Sequence, residues 1–296
     1  MSYFIKARSN YLFTEGPEIF IGESNLLPDG SIRLDPKEFI EKANNLRPTA
    51  LWLCEADSNV NREEFLKFIS NLHSLQSIHL ANDYLPLASL PPSNIKAISL
   101  LPFIDQELLD RCVEFRWQPE QIVPDVHFFS FFDFDGRYDL GGISPSTFPG
   151  LKWIECFIDK KGRTLDTIQG FSNLTTAYLS HVRKHDVFSI LQGLRIKMLK
   201  LEGFDRGFSF QNIGKLDKLE VLHLNSYREN LDLRLIVDLP LKEVFLLNCT
   251  KLEHAEVLLQ VPTLESVHII DCKKPLSDAI KKALKEKLPL VDVDFQ

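Results

Sequence analysis

The strongest constraint on the fold is a phrase that recurs at a nearly fixed interval. Apolar residues stand at a start position and at three and five residues beyond it in Leu151/Ile154/Cys156, Leu174/Ala177/Leu179, Ile196/Leu199/Leu201, Leu219/Leu222/Leu224, Leu241/Val244/Leu246 and Leu264/Val267/Ile269. The starts are separated by 23, 22, 23, 22 and 23 residues. The phrase continues backwards at looser intervals in Leu75/Ile78/Leu80, Ile95/Ile98/Leu100 and Val126/Phe129/Phe131, with Leu51 and Leu53 as an earlier member, and Leu290/Val293/Phe295 closes the series. A fixed period of roughly 20 to 50 residues marks a stacked array. One such phrase is too short to make a core. Alternate residues of a strand point to one side, so equivalent residues of successive strands line up into a continuous apolar ridge, which is what the repetition achieves.

Read as LxxLxL, these phrases resemble the leucine-rich repeat family over about residues 47–296. The resemblance implies an α/β fold: a leucine-rich repeat solenoid (horseshoe) with parallel strands on the concave face and helices and irregular segments on the convex face. The family usually has Asn or Cys three residues after the last Leu, where the side chain satisfies backbone groups of the turn. Cys249 and Cys272 match this, whereas Asp159, Phe204 and Tyr227 take the place in other repeats. The departure concerns the turn geometry of the middle repeats and leaves the stacking unaffected.

Segments between the phrases read as packing elements. "NREEFLKFISNLHSL" puts Phe65, Leu66, Phe68, Ile69 and Leu72 on one helical face, with Asn61 and Glu64 spaced for a reciprocal cap. "DQELLDRCVEF" and "LSDAIKKALKEKL" read the same way, the latter capped by Ser277. Upstream, "EIFIGES" and "SIRLD" predict strands, and Asp35, Pro36 and Glu38 together signal a helix start. Residues 1–46 are therefore expected to be an N-terminal capping segment, because the terminal repeat of a solenoid otherwise exposes its core. The Gly- and Pro-bearing stretch 133–150, which lengthens its repeat to 25 residues, is expected to protrude as a loop.

Composition then narrows function. With 44% hydrophobic and 25% charged residues the chain can form a core, and it has no uninterrupted apolar run of a length that spans a membrane. The opening "MSYFIKARSNYLF" carries no secretion signal. Five cysteines, an odd number without CxxC pairs, predict a reduced, cytoplasmic setting. A net charge of −7 argues against nucleic acid or anionic lipid and suits a basic protein partner.

Catalytic and metal readings are weak. Aligning Asp135-Gly136 with a calcium loop puts Phe131 at the first ligand position and Gly142 at the last, where Glu is needed. His181 and His185 have the spacing of a helical metal pair but no obvious third ligand. Cys249 and Cys272 hold a repeat position that reads as turn or core. GxSxG, P-loop and GxGxxG fingerprints are missing from the sequence. The expectation is a chain without enzymatic activity, metal or cofactor.

The resemblance implies that residues between the leucines of each strand face outward on the concave sheet. One stripe, four residues after each start, runs through Trp52, His79, Ser99, Ser130, Glu155, Tyr178, Lys200, His223, Phe245, His268 and Asp294; its neighbour, two residues after each start, runs through Phe128, Trp153, Thr176, Met198, Val221, Glu243 and Ser266. Phe128, Trp153, Tyr178, Met198 and Phe245, rimmed by Glu155, Lys200, His223 and Glu243, have the composition of a protein-binding centre with aromatic anchors and a polar edge; His268 continues the stripe. Coverage by the 133–150 loop, or a purely cross-strand role for the aromatics, is the alternative. The predicted function is non-catalytic protein binding through the concave face. The most specific form is an immunity protein that occludes a cognate bacterial toxin, similar to toxin-immunity proteins built from leucine-rich repeats; the alternative is a general scaffold, adaptor or effector.

Overall fold

The computed structural model describes residues 2–12, 17–21, 32–34, 36–53, 67–80, 94–100, 125–131, 143–272 and 276–294. They fall into two compact units, Ile5–Glu155 and Met1–Phe4 together with Cys156–Gln296. In the unit Ile5–Glu155, strands β1 (Glu18–Ile21), β2 (Ile32–Leu34), β3 (Ala50–Leu53), β4 (Ser77–Leu80), β5 (Ala97–Leu100) and β6 (Phe128–Phe131) lie in the order β2-β1-β3-β4-β5-β6, all paired in parallel. The division between units falls, in sequence, within β7 (Trp153–Phe157).

In the unit built on Cys156–Gln296, β8 (Thr176–Ser180), β9 (Met198–Glu202), β10 (Val221–Asn225), β12 (Glu243–Leu247), β14 (Ser266–Ile270) and β15 (Leu290–Asp294) follow one another in parallel. Short strands β11 (Asn230–Asp232) and β13 (Lys251–Glu253) form a separate parallel pair. The fold is thus a mixed α/β one in which repeat-length segments add parallel strands singly, in solenoid-like fashion. Among the described residues the helices are few: α1 (Tyr3–Leu12), α2 (Pro36–Leu46), α3 (Arg163–Gln169), α4 (Val187–Leu191) and α5 (Asp278–Lys287), with single 3-10 turns at Ile213–Lys215, Leu233–Ile236 and Ala255–Leu259.

Residues at the start, third and fifth positions of the phrase build the core. Leu174, Ala177, Leu179, Leu199, Leu201, Leu241, Val244 and Leu246 have no exposed surface, and Leu219, Leu222 and Leu224 have almost none. Equivalent residues pair directly, as in Leu199↔Leu222↔Val244↔Val267, so each strand buries its apolar side against the next repeat. Leu51 and Leu53 join the ladder as predicted, and strands form at Glu18–Ile21 and Ile32–Leu34 within "EIFIGES" and "SIRLD"; these two strands, expected only as part of a cap before the array, pair in parallel beyond β3. Ser277 caps α5 by accepting the Ile280 N–H at 3.3 Å. Residues 67–70 are helical, while Asn61, Glu64 and the helix read at residues 105–115 lie outside the described residues.

Five strands, β8, β9, β10, β12 and β14, end in the same turn. His181, Gly203, Ser226, Asn248 and Asp271, each seven residues after a repeat start, adopt positive φ between 53° and 73°. At Gly203 a Cβ would stand 2.6 Å from the His181 amide nitrogen, so this turn requires glycine for space as well as for φ. One residue further on, Cys249 Sγ donates to the Leu224 and Leu247 carbonyls at 3.8 and 3.5 Å, and Cys272 Sγ to those of Leu246 and Ile270 at 3.7 and 3.4 Å. Where neither Asn nor Cys stands at this position, other chemistry is used. Asp159 accepts the Lys161 and Thr164 N–H groups at 2.8 Å each, and Phe204 and Tyr227 pack edge-on at 5.2 Å.

Two expectations change. The last strand pairs His268 with Asp292 and Ile269 with Val293, so the final phrase is Leu288/Val291/Val293, two residues earlier than the Leu290 start; Leu288 is buried and Leu290 is 52% exposed. The stripe position is accordingly Asp292 rather than Asp294. Residues 143–150 of the expected loop fold back instead of protruding: Ile143, Thr147 and Phe148 are buried, and the Phe148 ring lies 5.6 Å from Phe129. Residues 133–142 lie outside the described residues.

Leu222→Ala is expected to lower the free energy of unfolding by about 2–5 kcal/mol, read from urea titration, because it empties a site between two repeats. Gly203→Ala is expected to destabilise by more than about 1 kcal/mol in the same assay, since the close His181 amide adds to the strain of positive φ.

Candidate protein-binding face

The strand face opposite the core is not bare in either unit. In Ile5–Glu155, the Glu155 carboxylate has no exposed surface and collects four donors. Arg8 donates through Nε and Nη2 at 2.6 and 2.8 Å, Ser130 Oγ at 2.9 Å and Trp153 Nε1 at 3.1 Å. The two-pronged geometry of the guanidinium compensates a charge that burial would otherwise penalise heavily. The same guanidinium lies 5.9 Å from the centre of the Phe128 ring, and Phe128 and Trp153 are fully buried 5.6 Å apart. Further along this unit, Phe20, Trp52 and His79 stack in sequence at 5.3 and 3.6 Å. Burial, and then the charge of Arg8, hold the His79 imidazole well below its ordinary pKa, so it is neutral at physiological pH and shares a 2.8 Å hydrogen bond with Ser77 Oγ.

In the unit built on Cys156–Gln296, Tyr178, Lys200, His223, Phe245 and His268 stand in register across five parallel strands. Lys200 Nζ sits 3.9 Å over the Tyr178 ring, and His223 stacks at 4.8 Å on Phe245, which is followed by His268 at 5.2 Å. Glu243, almost wholly buried, meets His223 Nε2 at 2.5 Å through Oε1. Burial pushes the His223 pKa down against the opposing pull of Glu243, while the hydrogen bonds from His223 and from the Tyr3 backbone outweigh burial and bring the Glu243 carboxyl below its usual range. The pair is a neutral imidazole donating to a carboxylate. Residues Ser2–Phe4 lie on this face: the Tyr3 N–H donates to Glu243 Oε2 at 2.9 Å, the Tyr3 hydroxyl bonds the Glu265 carboxylate, and the buried Phe4 ring lies 5.2 Å from His223 and edge-on to Tyr178 at 6.3 Å.

The ten residues expected on an exposed surface therefore divide. Tyr178, Met198, Lys200, Phe245 and His268 are half-exposed. Phe128, Trp153, Glu155, His223 and Glu243 are buried, contrary to the exposure expected of them, because α1 residues and neighbouring strands cover them. Tyr3, Phe4 and Glu265 on the strand face of one unit and Arg8 on that of the other were not anticipated; the available signal was the i, i+4, i+8 spacing of Phe4, Arg8 and Leu12.

The residues weighed as catalysts or ligands have structural surroundings. His181 packs edge-on to Phe157 at 6.0 Å in a turn rather than on a helix. The Cys249 thiol is pushed up in pKa by its hydrogen bond with Cys272 and then by burial, so it is held protonated. Among the described residues no cluster of three His, Cys, Asp or Glu side chains has metal-binding geometry, and no helix is long and apolar enough to cross a membrane.

Trp153→Ala is expected to cost about 3–5 kcal/mol of stability, since it opens a cavity beside Glu155. Arg8→Ala is expected to cost about 3 kcal/mol by leaving that carboxylate buried without its cation, again read from urea titration. The histidines give a pH dependence of known sign. The folded-state pKa values of His79 and His223 lie below the ordinary 6.5, so in mild acid the unfolded chain binds more protons than the folded one and stability falls as pH falls. Urea midpoints are expected to drop between about pH 7.5 and about pH 5.5, with a shallower drop in His79→Phe. Comparison with known proteins adds no relative from which a role could be transferred: no family model matches the chain, and no curated protein matches it.

Proposed function

We propose that the chain is a leucine-rich repeat protein, a horseshoe-shaped solenoid whose strand face is concave, and that it binds another protein through that face without catalysing a reaction. The observation that carries this reading is the half-exposed surface of Tyr178, Met198, Lys200, Phe245 and His268, held in register by five strands whose opposite side is spent entirely on the core. Large aromatic and apolar side chains on an outward strand face, edged by a cation, have the composition of an interaction centre.

The most specific form of the proposal is an immunity protein acting in the cytoplasm, which neutralises a cognate bacterial toxin by covering its active site. The net charge of −7 favours a basic toxin domain as the partner, because charge complementarity speeds encounter and rejects wrong partners. A scaffold or adaptor role uses the same face with a different partner.

The test is affinity capture with the intact chain and with a Tyr178→Ala/Phe245→Ala variant whose folding is verified by its urea midpoint. A stoichiometric partner captured by the intact chain is expected to be lost by the variant, with a weakening of roughly 2 kcal/mol or more if these rings are anchors. A partner retained in full by the folded variant overturns the strand-face reading. An encoded basic toxin domain as that partner supports the immunity form, and a partner without toxin activity supports the scaffold form.

A further inference from the structure

The contacts of Ser2–Phe4 carry a more specific inference, which rests on the protein-binding reading above. We propose that the face formed by Tyr178, Lys200, His223, Glu243 and Glu265 is a recognition site for a helix-starting peptide segment with two adjacent aromatic residues, and that the chain's own Tyr3-Phe4 is its resident competitor.

Each feature of the resident segment meets a matching group. The first turn of a helix has backbone N–H groups without intrahelical acceptors, and Tyr3, the first residue of α1, gives its N–H to Glu243 Oε2 at 2.9 Å. The other carboxylate oxygen is held by His223 Nε2 at 2.5 Å, so the acceptor is fixed in place before any segment arrives. A fixed carboxylate at this point also complements the positive end of a helix. The first aromatic side chain reaches Glu265 through its hydroxyl. The second enters a space bounded by the rings of His223 and Tyr178, with Lys200 Nζ 6.0 Å from its centre. The polar half of this recognition reads main chain, which any segment possesses, and the specificity lies in the paired aromatics.

Ser2–Phe4 belong to the same compact unit as the face they cover. Tyr3 is 40% exposed, so its hydroxyl bond is open to water and to competition. On the same unit Met198, Phe245 and His268 are half-exposed.

The experiment is fluorescence anisotropy of a labelled, N-acetylated synthetic peptide copying residues 2–12, titrated with the full chain, with full-length Tyr3→Ala/Phe4→Ala and with full-length Tyr3→Phe. A competitor that occupies its site most of the time lowers apparent affinity by the fraction of open site, so the double variant is expected to bind the peptide roughly tenfold or more tightly than the intact chain. A control peptide with Tyr3 and Phe4 replaced by Ala is expected not to bind. Tyr3→Phe removes only the exposed hydroxyl of the resident and leaves the site intact, so it is expected to bind the peptide a few-fold more tightly. Equal binding by intact chain and folded double variant, or equal binding of aromatic and control peptides, overturns the proposal. If the double variant does not fold, Tyr3→Phe decides, and no tightening overturns it. The assay contains no partner, so a negative peptide result beside a partner lost from Tyr178→Ala/Phe245→Ala removes this inference alone.

Discussion

A five-residue strand cannot enclose its own apolar side chains, and the rest of this structure follows from that limit. Leu222 is buried because Leu199 stands on one side of it and Val244 on the other, each in direct register. The backbone ladder carries the same dependence past the strand ends, as in Glu220 N–H to Lys197 O and Lys242 N–H to Glu220 O. Burial and hydrogen bonding thus both run between neighbours in the array, and a repeat is stable to the degree that its neighbours are present. Turns must reproduce one spacing each time, which is why five successive repeats place a left-handed residue at the same position.

Once one side of every strand is committed to the core, the other side is free of that duty, and here it is used for polar and aromatic groups that would damage a core. Glu155, Glu243, His79 and His223 are all buried on it. Each is tolerable because a specific partner meets it: a guanidinium and two side-chain donors for Glu155, an imidazole and a backbone N–H for Glu243. Breaking such a pair is more damaging than never having made it, so these groups bind the N-terminal helix residues to their strands more firmly than apolar contact alone would. The Arg8 contact is in this sense structural, while the exposed Tyr3 contact is of a kind that exchanges.

How much of this could be read from the sequence depended on whether the information was local and periodic. The core positions, and the parallel register of the five repeats that start at Leu174, Ile196, Leu219, Leu241 and Leu264, were legible because they need only apolar spacing, and the turn role of Cys249 and Cys272 was legible from their offset. The last strand was not, because "LPLVDVDF" fits the phrase from either Leu288 or Leu290, and only pairing with β14 selects one. The helix at residues 3–12 was missed because the middle of its inward face, between Phe4 and Leu12, is Arg8; that arginine makes sense only with a carboxylate 147 residues away. Burial of Phe128 and Trp153 was missed for the same reason. Periodicity says which way a side chain points and nothing about what is laid over it.

The contacts of Tyr3 have a consequence in time. Neighbouring repeats join residues about 22 apart, but Tyr3 is joined to Glu243 across 240 residues and to Glu265 across 262. A chain made from its N-terminus therefore produces these first residues long before the carboxylates that receive them. Contacts of such separation form late in folding, after local ones have been made. The strands that carry Tyr178, His223 and Phe245 are therefore expected to assemble before the N-terminal residues can be seated on them.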